Sequence, residues 1–413
     1  MTAISSATVD TDEPPPFPMP RRWPLDPPPA LAELRRRGQP LTRVRLWDGS
    51  TAWLVTRHAQ IREVLHSPAF SSDTSSPGFP KATRAAAALA GDATRWLVRL
   101  DPPEHTRIRR ILAKEFAPRR VAAMRPIVQC AADTLIERLA EAPPEPDGAV
   151  DLVRELALPM PATVICRILG VPNEDREFFQ DRTHVAMSAD ASPYEVRAAF
   201  ADLRDYLDRL LREKENDPAD DLLGRLIVDQ LRPGELTHEE LLTIARLLLI
   251  AGHDTTANMV GLIGLSLARH PDQAELLREN PQLIPGAVEE LLRYHSVGNH
   301  GLSRIATADV RIGGQLVRAG EGVLLALNSG NRDEAAFERP DVLDLSRGAS
   351  AHLTFGAGIH RCLGAPLALL ELEVVLAGLL ERLPGLRLAV PLEQLSFRHD
   401  MLTYGVRALP VRW

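Results

Sequence analysis

The sequence predicts a mainly α-helical chain with a smaller β-rich lobe. Three observations carry that reading. From Asp101 onward apolar residues recur at helical spacing through most of the chain. Two stretches, 43–57 and 303–328, are instead rich in β-formers and turn residues. No convincing linker or internal repeat divides the 413 residues after residue 30, so one large core is expected.

Taken in order, residues 1–30 form a Pro-rich tail, expected to be extended and at least partly disordered. "RVRLWDGSTAWLVTR" (43–57) reads as a hairpin around Asp48-Gly49, and "HAQIREVLHS" opens a helix. Residues 70–100, rich in Ser, Gly, Pro and Ala, read as a long loop of the kind that serves as a lid. "DPPEHTRIRRILAKEF" gives a helix with Asp101 as N-cap and Pro102 at its first position. Helices follow near 119–141, 151–169, 195–214, 219–230, 237–269, 272–278 and 283–294. The 303–328 stretch turns at "IGG" and "RAGEG". A last helix spans about 363–383, and short strands close the chain.

Composition excludes several classes. A net charge of −7 argues against non-specific nucleic-acid binding. Lysine occurs only at 81, 114 and 214, a skew that reflects codon usage, so the arginines are not read together as a basic patch. Cys130, Cys166 and Cys362 are too few and too widely spaced for a disulfide framework, which fits a reducing compartment. The N-terminus lacks a signal peptide's apolar core. No run reaches the roughly 18 apolar residues of a membrane span. A soluble, cytoplasmic protein is expected, and nothing demands more than a monomer.

One cysteine stands apart. "FGAGIHRCLG" places Cys362 after a glycine-containing loop, at the start of a helix. Free N–H groups and partial positive charge at a helix start favour a thiolate. Gly356, Gly358 and Gly364 permit tight turns and close approach of a flat ligand. The stretch from Phe355 to Gly364 closely resembles the haem-binding loop of the cytochromes P450. The resemblance implies the cytochrome P450 fold, a single haem-thiolate monooxygenase domain over residues 31–413, haem b as cofactor and Cys362 as the iron ligand. "EELLR" (Glu290, Arg293) resembles the family's structural ExxR element. "NRDEAAFERPDVLDLSR" resembles the segment packed on it, with Leu343 where an aromatic is common. The resemblance also implies that His105, Arg109, Arg304, His352 and His360 contact the haem propionates.

A second stretch, "LLLIAGHDTTANM", interrupts an apolar helix with Gly252, His253, Asp254, Thr255 and Thr256. Leu248, Ala251, Gly252, Thr255 and Met259 form one stripe. Small residues there let the helix pass over a flat ligand, and Gly252 leaves room for dioxygen. Thr255 can hydrogen-bond a preceding carbonyl and open the helix locally. Asp254 offers a carboxylate able to relay protons. Taken alone, the break is either a kink or a binding feature. "AGHDTT" resembles the family's oxygen-activation motif. That implies O2 as co-substrate, with Thr255 and ordered water delivering protons and Asp254 helping to supply them. His253 lies off the stripe and is expected to point away. Thr256 is expected at the haem edge or the backbone.

The 70–100 loop, the helices near 170–205, the stripe, "HSVGNHGL" (295–302) and the "DMLTYG" turn (400–405) should enclose an apolar pocket for a small organic substrate. Wording such as "FPMPR" resembles soluble actinobacterial members, which oxidise secondary metabolites and foreign compounds. Hydroxylation or epoxidation is the implied reaction. No reductase domain is appended, so electrons are expected from a separate ferredoxin and its NAD(P)H-dependent reductase, with Arg107, Arg110 and Arg361 as docking candidates. Leu369 stands where the family often has an arginine. A haem-thiolate enzyme using peroxide or rearranging its substrate, and a non-catalytic haem or ligand carrier, remain the alternatives.

Overall fold

A computed structural model describes residues 13–84, 87, 96–142, 148–187, 192–399 and 401–413. Helix α1 (Pro29–Arg36) precedes the hairpin β1 (Leu41–Arg45) and β2 (Thr51–Val55). Gly49 turns that hairpin at φ +84°, the left-handed conformation that Asp-Gly favours. Then follow α2 (His58–His66), β3 (Phe70–Ser71), α3 (Glu104–Glu115), α4 (Pro118–Glu141) and β4 (Val150–Asp151). A wide helical turn, Val153–Ala157, leads into α5 (Pro159–Leu169), which stops at Gly170 in the left-handed conformation.

Next come α6 (Arg176–Met187), α7 (Pro193–Asn216), the short α8 (Leu222–Leu226) and the long α9 (His238–Arg269). Ser192 with Glu195 and Thr237 with Glu240 form capping boxes that start α7 and α9. The chain continues through α10 (Pro271–Glu279), α11 (Ile284–His295), β5 (Leu302–Ala306), β6 (Val310–Ile312), β7 (Gln315–Val317) and β8 (Gly322–Leu325). It ends with α12 (Leu327–Gly330), α13 (Ala365–Arg382), β9 (Arg387–Leu388) and β10 (Pro410–Arg412).

Helix α9 is apolar on nearly every face, so it can only be buried. It packs against α5, α7 and α13 and forms the axis of the main core. The β lobe holds a five-stranded sheet in the order β1-β2-β8-β5-β3. Only β2 and β8 in it run parallel, with Trp53 opposite Val323. A second sheet, β4-β10-β9, brings the C-terminus back to Val150.

Two expectations change. Where it is described, the Pro-rich stretch bends and turns rather than staying extended, and it packs: Pro16 bridges Arg45, and Phe17, Met19 and Leu25 are buried. Prolines deny it ladder hydrogen bonds without denying it apolar contact. Asp101 does not cap α3. A residue before proline is pushed out of the helical region, and Asp101 and Pro102 both precede prolines, so the helix begins at Glu104. The Asp101 carboxylate instead accepts hydrogen bonds from the Ser71 hydroxyl and the Ser72 N–H.

Candidate active site

The cysteine loop is held from behind. Asn331 accepts from the Leu353 N–H at 2.6 Å and donates to Ser296 and Thr354. Gly358 turns at φ +69°, and a Cβ there would stand 2.0 Å from the Leu65 carbonyl oxygen, so the position requires glycine. The Cys362 N–H closes the loop on the Phe355 carbonyl at 2.8 Å, while the Phe355 ring packs on the main core. Gly356 has φ +67°, and a Cβ on Gly364 would meet open space.

Gly364 is the N-cap of α13, so Cys362 sits two residues before the cap. Its side chain reaches an open surface yet is crowded by protein atoms. That crowding pushes the thiol up, against the opposing pull of the Gly364 N–H, Arg109, Arg361 and the Ala365 N–H. The helix start therefore acts in the expected direction but is outweighed by burial.

Beside Cys362 lies a cluster of two arginines and two histidines. His105 is buried, with both ring nitrogens lacking a hydrogen-bond partner, and its ring centroid stands 4.2 Å from that of His360. Burial, Arg304 and His105 push the His360 pKa down to about 3; burial, Arg109 and Arg304 lower that of His105. Arg304 is buried and pulled down to about 10, and among the described residues it donates only to the neighbouring Ser303 carbonyl. Arg109 donates to the Arg361 carbonyl at 2.6 Å. Among the described residues no carboxylate forms an ion pair with Arg109 or Arg304. A buried histidine left unsatisfied beside two unpaired arginines fits an anionic group such as a haem carboxylate.

Helix α9 runs unbroken through the polar stretch. Ala251 and Thr255, four residues apart, are exposed although the helix around them is buried, so this face borders a cleft. Thr255 donates to the Ala251 carbonyl at 3.0 Å, as expected, without opening the helix. Gly252 does not clear this face: a Cβ there would point at the Ile165 side chain of α5, 3.5 Å away. Thr256, one turn beyond Gly252, is buried and lies off the exposed stripe. His253 also turns away, its ring 3.2 Å from the Leu158 carbonyl. Asp254 is buried between Arg398, at 3.0 Å, and the Thr403 hydroxyl. Thr403 belongs to the turn expected to reach inward; Asp400 lies outside the described residues. The Gly298–Thr403 bridge and the Tyr404 N–H to Val297 carbonyl bond tie that turn to the 295–302 segment.

His352 does not join that cluster. Its Nε2 stands 2.7 Å from Glu289 and its Nδ1 accepts from the Thr354 N–H, so it braces the loop against α11. Arg107 pairs with Glu240 and donates to the Glu235 carbonyl, so its guanidinium is already engaged within the chain. Arg110 and Arg361 are exposed. Glu290 and Arg293 are fully buried, joined by two hydrogen bonds of 2.7 and 2.8 Å. Sequence reasoning missed Arg398. A lone arginine 144 residues from Asp254 carries no local signal.

The family model described as Cytochrome P450 matches residues 27–384. The chain belongs to the cytochrome P450 family and is a P450 monooxygenase. Within the family it groups with the CYP105 proteins of actinobacteria. It is 49% identical over 390 residues to Cytochrome P450-SU2 of Streptomyces griseolus, covering 94% of each chain. It is 44% identical over 410 residues to the Vitamin D3 dihydroxylase of the same organism, covering 99% of each. The crystal structure of cytochrome P450 MoxA from Nonomuraea recticatena (CYP105) superposes with a TM-score of 0.90 at 44% identity, over 96% of this chain and 98% of that one. Among the described residues no helix is long and apolar enough to cross a membrane.

Proposed function

We propose that this enzyme inserts one oxygen atom of O2 into an apolar secondary metabolite or foreign compound, by hydroxylation or epoxidation, in the cytoplasm. The observation that carries the reading is the cysteine in its tight loop beside two desolvated histidines and two arginines that have no carboxylate ion pair among the described residues. Haem b is the cofactor, with Cys362 as its iron ligand and His105, Arg109, Arg304 and His360 binding its carboxylates. Phe355, Gly356 and Gly364 shape the cysteine loop that would hold it, and Ala251 would border its site from α9. Bound there, a haem-thiolate supplies the centre at which dioxygen is reduced and split.

The protein's part is to bind, exclude water and move protons. Thr255 keeps its hydroxyl on the exposed face of α9 through its bond to the Ala251 carbonyl. Asp254 holds a carboxylate one residue away, anchored outward by Arg398 and Thr403. Passing a proton to Thr255 requires that carboxylate to change partners, so Arg398 and Thr403 set how readily it is released. The 44% identity to a Vitamin D3 dihydroxylase supports a rigid, mostly apolar molecule as substrate. Electrons come from a separate ferredoxin and its NAD(P)H-dependent reductase, docking near Arg110 and Arg361, and the protein works as a monomer.

The test is turnover of vitamin D3 and a panel of apolar metabolites with ferredoxin, reductase, NADPH and isotopically labelled O2. A product carrying one labelled atom is expected. Product formed only with peroxide, or tight binding without product, contradicts the reading.

A further inference from the structure

A cavity of about 650 Å3 opens on the β lobe, lined by none of the cysteine-loop residues. Its volume lies within the roughly 300–1,000 Å3 of small-molecule sites. Phe17, Met19 and Leu31 supply apolar wall; Arg21, Arg84 and His300 supply cationic or titratable groups. Among the described residues no Asp or Glu lines it. The packed N-terminal stretch, which the oxygen chemistry does not use, is thus one side of a half-open cavity that favours a negatively charged group.

Arg21 is the centre of that bias. Its guanidinium lies 3.9 Å over the Tyr404 ring and donates to the Asp26 carbonyl at 2.7 Å. Its reach to the Asn299 side-chain oxygen is long, 3.4 Å, and its Nε has no hydrogen-bond partner. It forms no ion pair among the described residues. The Asn299 amide donates to the His399 and Met401 carbonyls, which turns its oxygen toward Arg21. Burial pulls the guanidinium's pKa down, with Tyr404 and Asp26 opposing it and Arg332 adding to it.

The 297–302 segment runs from the cavity toward the cysteine loop. His300 lines the cavity. Leu302, two residues on, approaches the cysteine loop: a Cβ on Gly356 would lie 3.8 Å from its Cδ1. Two extended residues span only about 7 Å.

We propose that this cavity is the outer end of the substrate site and receives the carboxylate of an elongated apolar acid, whose hydrocarbon body runs along the 297–302 wall to the cleft. A carboxylate replaces the long Asn299 contact of Arg21 with a charge-assisted hydrogen bond, about twice as strong as a neutral one. This rests on the proposed oxygenase reading for the cleft itself.

The experiment is calorimetric titration of the haem-loaded enzyme with decanoate and with decan-1-ol. Decanoate should bind at least about tenfold more tightly, the margin of a hydrogen bond to a charged group. R21Q should abolish the preference and leave the alcohol's affinity in place; R21K should retain part of it. R84E, on an exposed cavity residue, should weaken decanoate alone and keeps the test open if R21Q fails to fold. Equal affinities, tighter binding of the alcohol, or a preference that survives R21Q and R84E overturns the proposal. Calorimetry reads binding without turnover. An enzyme that prefers the acid but yields no product contradicts the oxygenase reading, whereas one that oxidises neutral ligands with no acid preference contradicts this proposal.

Discussion

Replacing Glu290 by glutamine should destabilise the protein far more than any exposed charge change. Its carboxylate accepts two hydrogen bonds from Arg293, one from the Arg347 Nε at 3.1 Å and one from the Asp344 N–H at 3.1 Å. Arg293 also donates to the Asn331 and Pro340 carbonyls, both at 2.8 Å. Both side chains are fully buried, so E290Q leaves a guanidinium without its counter-charge and turns an amide NH2 toward its donors. Breaking one side of a buried pair costs about 3–5 kcal/mol, a large part of a typical 5–15 kcal/mol stability. At about 2.1 cal/mol/K per residue, 413 residues give an unfolding entropy of about 0.9 kcal/mol/K, so Tm should fall by about 3–6 °C. The exposed Arg204–Glu239 pair is the control, and E239Q should cost about 0–1 kcal/mol. Because Asn331 also holds Leu353 and Thr354, E290Q should lose haem at lower temperature than the parent. Thermal unfolding by circular dichroism with the Soret band followed in parallel is the assay. An E290Q Tm within 1 °C of that of E239Q would refute the reasoning.

Three further outcomes are expected. H105L removes two unsatisfied buried ring nitrogens, so the haem-free protein should unfold at about 1–3 kcal/mol higher stability while haem dissociates faster, read by denaturant titration and transfer to apomyoglobin; a less stable haem-free variant contradicts this. R398Q loosens the anchor of Asp254 and should change the ratio of product to peroxide per NADPH by severalfold with little change in substrate affinity; an unchanged ratio removes Arg398 from proton delivery. His238 bridges Asp208 and Glu215 on α7, with Arg212 also on Asp208 and Arg204–Glu239 beside it. Partial burial lowers its pKa, but the bonds to Asp208 and Glu215 outweigh it and hold it above 6.5. Its stabilisation is therefore complete below the unfolded pKa and fades as pH rises through the folded one. The stability gap between parent and H238Q should be wide near about pH 6 and should close toward about pH 9; a gap that widens with pH refutes the linkage.

How much could be read from the sequence depended on how local each cause is. The hairpin follows from Asp48-Gly49, a two-residue signal, and α9 from a long apolar run behind the Thr237–Glu240 capping box. The cysteine loop is a ten-residue pattern, and the ExxR pair spans one helical turn. Long-range partners were not legible. His352 looks like one more cation near the cysteine, yet Glu289, 63 residues upstream, claims its ring. Asp254 sits one residue from Thr255 but faces Arg398 and Thr403, because adjacent helical residues point about 100° apart. Gly252 shares the stripe on paper, but only packing reveals that its missing side chain would face Ile165. Helix α1 was hidden by the prolines around it, and the fit of Phe17 and Met19 into the lobe has no periodic signature.

The central claim is that Cys362 holds a haem iron as thiolate. The reduced carbon-monoxide spectrum of the purified protein and of C362S tests it most directly. The account predicts a strongly red-shifted Soret band for the parent, lost in C362S, whose fold is retained because the loop is closed by the backbone N–H of residue 362. A histidine-type band, no bound haem, or a red-shifted band that survives C362S would contradict it.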